Sequence, residues 1–568
     1  MFGIIIAVLF LAFVVTVQIP VEIYLNNADE FILPLRTLAY LLSAAFGIAC
    51  LVLLLPLVVT ITAFRERYFS FLAMLALLIW VNAHFMFGQY GAFDGHGLSI
   101  DKFSLRAVIE AVVWVVALAG ALIFSKKLQA ILFQVVSALL TITVTLTAYQ
   151  IIHYTLYENK HFTPEQNQDQ FMTEEFLTFS TRGNIIHIVL DEQQSTIVDL
   201  LMAANPRFKQ HLKGFTYFPN TTSNFRSTLM AIPAILTGQL YKNEDNKNRF
   251  LQQALSHNTF TAALEKANYK THIYTKGFYC NVAKIKNCIP QPELSLEMNA
   301  VLLLDYSLFK AVPDIMKPVI YHQDRWFIKR YFTNVDYTTS HPGLSHLAFN
   351  YFNAHLTVKD IEPTYKFYHT MISHSPAVLK EDCGLRVMKT NHNHVSVREE
   401  QSACAFQHVF TFLNKLQEAG IYDNTFIIIS SDHGASILTH AQKENLRGQN
   451  TVHEDHYPRA LATLLIKPFN TKAPLQVSYA PAALNDIPNT ILASLDLPLL
   501  PYGENVLALT DTTKRTREFV YHEIVDWWSQ EVSPLAAIYN INGDVRELKS
   551  WQIKCSDLKD NMKQCTKG

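Results

Sequence analysis

Charge is scarce in this chain. Asp, Glu, Lys and Arg make up 17% of its 568 residues, against roughly 25% in soluble domains. Hydrophobic residues make up 50%, and the mean hydropathy is +0.12. A wholly soluble protein does not fit this balance. Nor does a disordered chain, which is poor in apolar residues, or a coiled coil, which is rich in charged ones. Glycine is sparse at 19 residues, which excludes collagen. An excess of positive charge is also missing. The formal net charge is −1, so no nucleic-acid partner is expected. No Cys-x-x-Cys pair, internal repeat or low-complexity tract occurs. The length predicts about two or three folding units.

What is present is an apolar N-terminal part. Long apolar runs lie near Phe2–Val17, Thr37–Ala63, Phe71–Gly88, Ala107–Phe124 and Ile131–Ile152. Most reach the ~18 residues that cross a bilayer core. The first lacks a basic leader and a small-x-small cleavage site, and reads as an uncleaved anchor. Arg65, Arg67, Lys126 and Lys127 fall in the short loops after the second and fourth runs. Basic loops stay cytoplasmic, so an odd number of spans exports everything after Tyr154. In a bacterium the destination is the periplasm or the outer surface. Cys280, Cys288, Cys383, Cys404, Cys555 and Cys565 all lie in the exported part. An even number there suits an oxidising compartment, and short loops favour 280–288, 383–404 and 555–565. His84 and Glu110 lie near the exported ends of their spans, where ionisable groups are costly and often functional. The loop Tyr90–Gly97 lies on that side too.

The expected organisation is a five-helix membrane domain at 1–152 and a polar linker with an interfacial helix at 153–183. An α/β domain at 184–510 and a small strand-rich extension at 511–568 follow. "NIIHIVL", Asn184–Leu190, and "TFIIIS", Thr425–Ser430, are short buried-strand patterns with helical patterns between them. Alternating strands and helices predict a mainly parallel sheet, whose ligands bind at the carboxyl ends of its strands. Asp191-Glu192 and Asp432-His433-Gly434 occupy two such ends. Aspartate and histidine suit a divalent metal.

With these segments the chain resembles the alkaline phosphatase/sulfatase superfamily, and more narrowly its membrane-bound phosphoethanolamine and phosphoglycerol transferases, including lipoteichoic acid synthases. In "IHIVLDEQQS" Asp191 falls on an acidic metal-ligand position, and Glu192 is a further ligand or a supporting group. In "SNFRSTLMAIPAILTG" Thr228 lies nine residues before Thr237 of the Leu-Thr-Gly turn, the nucleophile spacing of sulfatases. Ser227 is its rival. The Cys-x-Pro-x-Arg sulfatase pattern is missing, and threonine cannot become formylglycine. A threonine hydroxyl can attack phosphorus when a metal lowers its pKa. In "HTMISHSPA" His374 falls on a residue that binds the substrate phosphate or a second metal, while His369 reads as structural. In "IIISSDHG" Asp432 and His433 fall on paired metal ligands. His440, His453 and His456 are candidates for one more histidine, with His453 and His456 nearest the following strand.

The resemblance implies one divalent ion, zinc or manganese, held by Asp191, Thr228, Asp432 and His433. Thr228 would take a phospho-alcohol from a phospholipid donor and pass it to an envelope glycan or lipid, at the inner membrane with the catalytic domain outside. His374, His453, His456 and Arg226 would bind the substrate. A hydrolase with water as acceptor, or a non-catalytic sensor that keeps the fold, are the alternatives.

Overall fold

This computed structural model describes residues 2–26, 35–58, 62–88, 90, 98, 100–158, 171–242, 247–256, 259–283, 287–322, 325–332, 336–386, 394–447, 452–522 and 535–556. Residues 91–97 of the Gly-rich loop and Cys565 lie outside them. The chain divides into two compact units. One holds the described residues of Met1–Pro164 and Leu294–Val335, and the other those of Glu165–Glu293, Asp336–Ile524 and Val532–Gly568.

Among the described residues, the first unit has five helices long and apolar enough to cross a membrane: Phe2–Asn26, Leu35–Leu57, Phe64–Phe85, Leu105–Ile123 and Ser125–Leu156. The first runs well past Val17, where its apolar pattern stops. Its polar residues there have partners: Gln18 Nε2 meets His84 Nε2 at 3.0 Å, and Glu22 Oε1 meets the same nitrogen at 3.1 Å. Glu22 Oε2 pairs with Lys310 Nζ at 3.1 Å. Lys310 belongs to the helix Leu296–Ala311, whose Leu303, Tyr306 and Phe309 bury among apolar residues of the first span. Asn82 Nδ2 donates to Val312 O at 2.9 Å, and Asp314 N donates to Glu110 Oε2 at 2.7 Å. Residues 294–335 therefore group with the apolar helices, although they lie inside the stretch 184–510 expected to form one α/β domain. His84 and Glu110 hold this unit together through buried polar contacts, which offset the cost of placing them in apolar surroundings.

Among the described residues, the second unit is built on an eight-stranded sheet. In chain order its strands are β1 Asn184–Leu190, β2 Thr216–Tyr217, β3 Lys270–Thr275, β4 Cys288–Pro290, β5 Thr364–Thr370, β6 Thr425–Ser430, β7 Leu464–Lys467 and β8 Gln476–Val477. Their order across the sheet is β8-β2-β7-β6-β1-β5-β3-β4. The pairs are parallel except where β7 meets β6 and β2. Both faces are covered, so the central strands read as continuous apolar runs. Ile185 and Val189 enter one core and Ile186, Ile188 and Leu190 the other. The register sets Leu190 beside Thr370 and Val189 beside Ser430. Three parallel strands therefore deliver Asp191, the loop after Thr370, and Ser431-Asp432-His433 side by side at one sheet edge.

The C-terminal strands Thr516–His522, Leu535–Asn542 and Trp551–Ser556 form a separate antiparallel sheet. Val520 N donates to Asn224 O at 2.8 Å, which ties this sheet to the segment leading into Thr228. Disulfides join Cys280 to Cys288 and Cys383 to Cys404. Cys555 is also disulfide-bonded.

Candidate active site and metal centre

Asp191 leaves β1 with its backbone N–H bonded to Thr370 O at 3.0 Å. Glu192 then takes a left-handed backbone, φ 60°, a conformation rare outside glycine, asparagine and aspartate. The turn aims the Glu192 N–H at Asp432 Oδ1, 3.1 Å away, and the His433 N–H reaches the same oxygen at 2.9 Å. Gly434 is required here, because a Cβ would come within 2.1 Å of Pro458 O.

Thr228 opens the helix Thr228–Thr237, with Ser227 in an extended N-cap conformation. Gly238 closes that helix at φ 76°, the left-handed C-terminal turn that glycine favours. This is the Leu-Thr-Gly turn seen in the sequence. The Thr228 hydroxyl donates to Asp191 Oδ2 at 3.3 Å and lies 3.5 Å from His433 Nε2. Its carbonyl accepts from Tyr279 OH at 2.7 Å. Thr228, not Ser227, is thus the hydroxyl that meets the Asp191 carboxylate.

Asp191 and Asp432 are fully buried. Asp191 Oδ1 and Asp432 Oδ2 nevertheless have no hydrogen-bond donor. His433 Nδ1–H donates to Gly434 O at 2.9 Å, which leaves the Nε2 lone pair 3.4 Å from Asp432 Oδ2. Acceptors brought together without donors are costly when buried. A divalent cation removes that cost, and the mixed O and N set suits one. Carboxylate oxygens of Asp191 and Asp432 lie within 4.8 Å of one another and of a His369 ring nitrogen. Asp191, Asp432 and His433 fit a metal.

His369, expected to be structural, belongs to this cluster. Its Nε2 lies 2.9 Å from Asp191 Oδ2 and its Nδ1 3.2 Å from Thr275 Oγ1. The carboxylate needs a donor, so Nε2 carries the proton and Thr275 donates to Nδ1. Burial raises the Asp191 carboxyl, but His374, His369 and His433 outweigh it and hold the group well below the usual carboxylate range.

His374 stands at the rim, with its side chain 13% exposed and its Nε2 3.9 Å from Asp191 Oδ1 and 3.7 Å from Glu192 Oε1. Glu192 is buried between two arginines that sequence reasoning missed. Arg398 Nη2 reaches its Oε2 at 3.1 Å and Arg459 Nη1 its Oε1 at 2.9 Å. Glu192 thus anchors the turn beside the metal-binding set.

The remaining candidates have other partners. His456 Nδ1 bonds Tyr539 OH at 2.7 Å, and its ring stacks on Tyr521 at 3.4 Å. His453 is exposed, 3.7 Å from Asp455, and His440 starts an exposed helical turn. Arg226 lies over the Tyr521 ring at 4.6 Å and donates to His522 O at 3.2 Å. All of these contacts lead towards the C-terminal sheet or solvent. No described hydrogen bond or ion pair joins these residues to Asp191, Asp432 or Thr228.

Comparison with known proteins completes the picture. No curated protein matches the chain. Similar solved structures include the lipoteichoic acid synthase LtaP from Listeria monocytogenes, 12% identical, covering 64% of this chain and 86% of that one, with a TM-score of 0.38. A protein of the alkaline phosphatase superfamily from Vibrio parahaemolyticus is 13% identical, covering 68% and 83%, with a TM-score of 0.40. Phosphonate monoester hydrolase SpPMH from Silicibacter pomeroyi is 15% identical, covering 64% and 85%, with a TM-score of 0.40. The sulfatase family model matches residues 183–497. That is more than half of the chain and spans Asp191, Thr228, His369, Asp432 and His433, so the chain belongs to the sulfatase family.

Proposed function

We propose that this protein moves a phospho-alcohol head group, phosphoethanolamine or phosphoglycerol, from a membrane phospholipid to an envelope glycan or lipid through a covalent intermediate on Thr228. The observation that carries the reading is the Thr228 hydroxyl at a helix N-terminus, 3.3 Å from Asp191 Oδ2 and 3.5 Å from His433 Nε2. A threonine there supports phosphoryl transfer over formylglycine-based sulfate hydrolysis.

Asp191, Thr228, Asp432 and His433 would hold the metal, zinc or manganese, with His369 orienting Asp191. Bound there, the ion supplies Lewis acidity to hydroxyl and phosphate oxygens. Thr228 Oγ1, a hydroxyl made more acidic by the ion it would help to hold, attacks the head-group phosphorus and releases its proton to water. The bond from phosphorus to the diacylglycerol oxygen breaks, and His374 protonates that oxygen. The N–H groups opening the helix at Thr228 favour the phosphate charge. In the second half an acceptor hydroxyl attacks phosphorus and gives its proton to His374. The Thr228–phosphorus bond breaks and the threonine recovers its proton. Five apolar spans support a donor in the bilayer. The short basic loops support an orientation with the catalytic unit outside the inner membrane.

The test is to incubate the purified full chain with vesicles of head-group-labelled phosphatidylethanolamine or phosphatidylglycerol and divalent metal. Diacylglycerol release with label retained on the protein, absent in Thr228→Ala, supports the reading. Release of free phospho-alcohol in every acceptor's presence, with no transfer, identifies a hydrolase instead.

A further inference from the structure

A second cluster of ligand-type side chains lies outside the site described above. Ligand atoms of His346, Cys383, Cys404 and His408 all lie within 4.8 Å of one another, and these residues are buried or nearly so. His346 sits on the helix His341–His355, and Cys404 and His408 on the helix Val395–Glu418. Cys383 sits in a tight turn at φ 60°, with its N–H bonded to Lys380 O at 2.9 Å. In this structure the two sulfurs are joined as a disulfide.

The histidines do not merely pack beside that bridge. His346 Nδ1 lies 3.0 Å from His408 Nε2, and Cys383 Sγ lies 3.8 Å from the same nitrogen. Tetrahedral zinc has bonds of roughly 2.0 Å to nitrogen and 2.3 Å to sulfur. Ligands on one such ion therefore stand about 3.3 Å apart for two nitrogens and about 3.6 Å apart for nitrogen and sulfur. The observed separations come within a few tenths of an ångström of those values. Asn350 Nδ2 lies 3.1 Å from His346 Nε2. An imidazole that ligates through Nδ1 carries its proton on Nε2 and donates it to an outer oxygen, so in the metal-bound state the Asn350 amide turns to offer its Oδ1 to that N–H. Phe349 stacks on His408 at 5.1 Å and Tyr337 on His346 at 4.8 Å.

We propose that His346, Cys383, Cys404 and His408 form a redox-gated structural metal site, closed as a disulfide when oxidised and able to bind one zinc ion when reduced. A dithiol reductant gives two electrons to the Cys383–Cys404 bond and becomes a disulfide itself, while two protein thiols form. Zinc then replaces the two thiol protons and takes two imidazole nitrogens, which completes a closed Cys2His2 set. A disulfide oxidant reverses the step: it takes two electrons and becomes a dithiol, the Cys383–Cys404 bond re-forms and the ion leaves. The site is independent of the proposed transfer reaction.

The same helix also carries Arg398, paired with Glu192, and Gln401, whose Nε2 donates to His374 O at 2.6 Å. The state of the cluster is therefore set on an element that holds the candidate active-site loop.

The test uses the full chain in detergent, stripped of metal and titrated with cobalt(II), first oxidised and then reduced anaerobically with a phosphine. The expected result is one additional cobalt per chain after reduction, with a thiolate-to-cobalt band in the near ultraviolet and tetrahedral visible bands. Paired replacement His346→Gln and His408→Gln removes the added equivalent, while Cys280→Ser with Cys288→Ser keeps it. Three results overturn the proposal: no thiolate band after reduction, a band that survives the histidine replacements, or loss of helical circular dichroism on reduction in the presence of cobalt.

Discussion

Thr228 Oγ1 lies 3.3 Å from Asp191 Oδ2, although 37 positions separate the two residues. One closes a central strand and the other opens a helix. Their meeting gives the hydroxyl a buried hydrogen-bond acceptor at the end of the sheet where sheets of this kind bind ligands. Thr228→Ala is expected to lower phospholipid turnover by roughly 10³-fold or more. Thr228→Ser keeps the hydroxyl and should retain most activity. The check is diacylglycerol release from vesicles, and near-normal turnover in Thr228→Ala would contradict the role.

His369 should matter to the metal as well as to the fold. Its bond to Asp191 orients a proposed ligand, and losing such an outer contact typically costs about 10–100-fold in metal affinity. His369→Gln is expected to lose metal at chelator concentrations that leave the parent loaded. Elemental analysis after graded dialysis measures this. Asp432→Asn, which alters a proposed ligand directly, should lose metal at lower chelator still.

Glu192 is the counter-ion of two buried arginines. Neutralising one partner of a buried pair leaves charge uncompensated and costs about 3–5 kcal/mol. Glu192→Gln should therefore lower the unfolding free energy of the full chain by about that amount, read by denaturant unfolding. Unchanged stability would show that the arginines have other compensation.

His456 supplies a pH dependence. Burial, helped by His453 and Arg226, pushes its imidazole down to about 2, against ~6.5 in an unfolded chain. The unfolded chain takes up this proton first, so the contribution is intact above ~6.5 and lost as pH falls. At pH 5 the loss from this one group is about 2 kcal/mol. His456→Phe should make acid unfolding less steep between pH 6.5 and 4. An identical acid profile would mean that His456 is accessible to protons in the fold.

Much of this site was legible because its residues sit at the ends of unmistakable strands. "NIIHIVL" and "TFIIIS" are strands over the residues expected, and Asp191, Asp432 and His433 follow them directly. Arg398 and Arg459 were not legible. They lie 206 and 267 residues from Glu192, and no local pattern marks a counter-ion. His369 is the penultimate residue of the buried strand β5, where a polar residue facing a core and one facing a site look alike. Residues 294–335 fell inside the stretch 184–510 expected to be α/β, because a sixteen-residue apolar helix carrying Lys310 is too short to suggest a membrane unit. Spacing did not choose among His440, His453 and His456, and nearness to the following strand favoured the last two. The contacts of His456 with Tyr539 and Tyr521 depend on a C-terminal sheet whose packing the sequence does not announce.

The most direct test of the central claim is peptide mass spectrometry on the full chain taken from native membranes, with Thr228→Ala alongside. A phospho-alcohol adduct on Thr228, absent from the variant, is the predicted result, and its mass names the donor head group. A Thr228 still unmodified after incubation with phospholipid vesicles and divalent metal, or an adduct on Ser227 instead, would contradict the account.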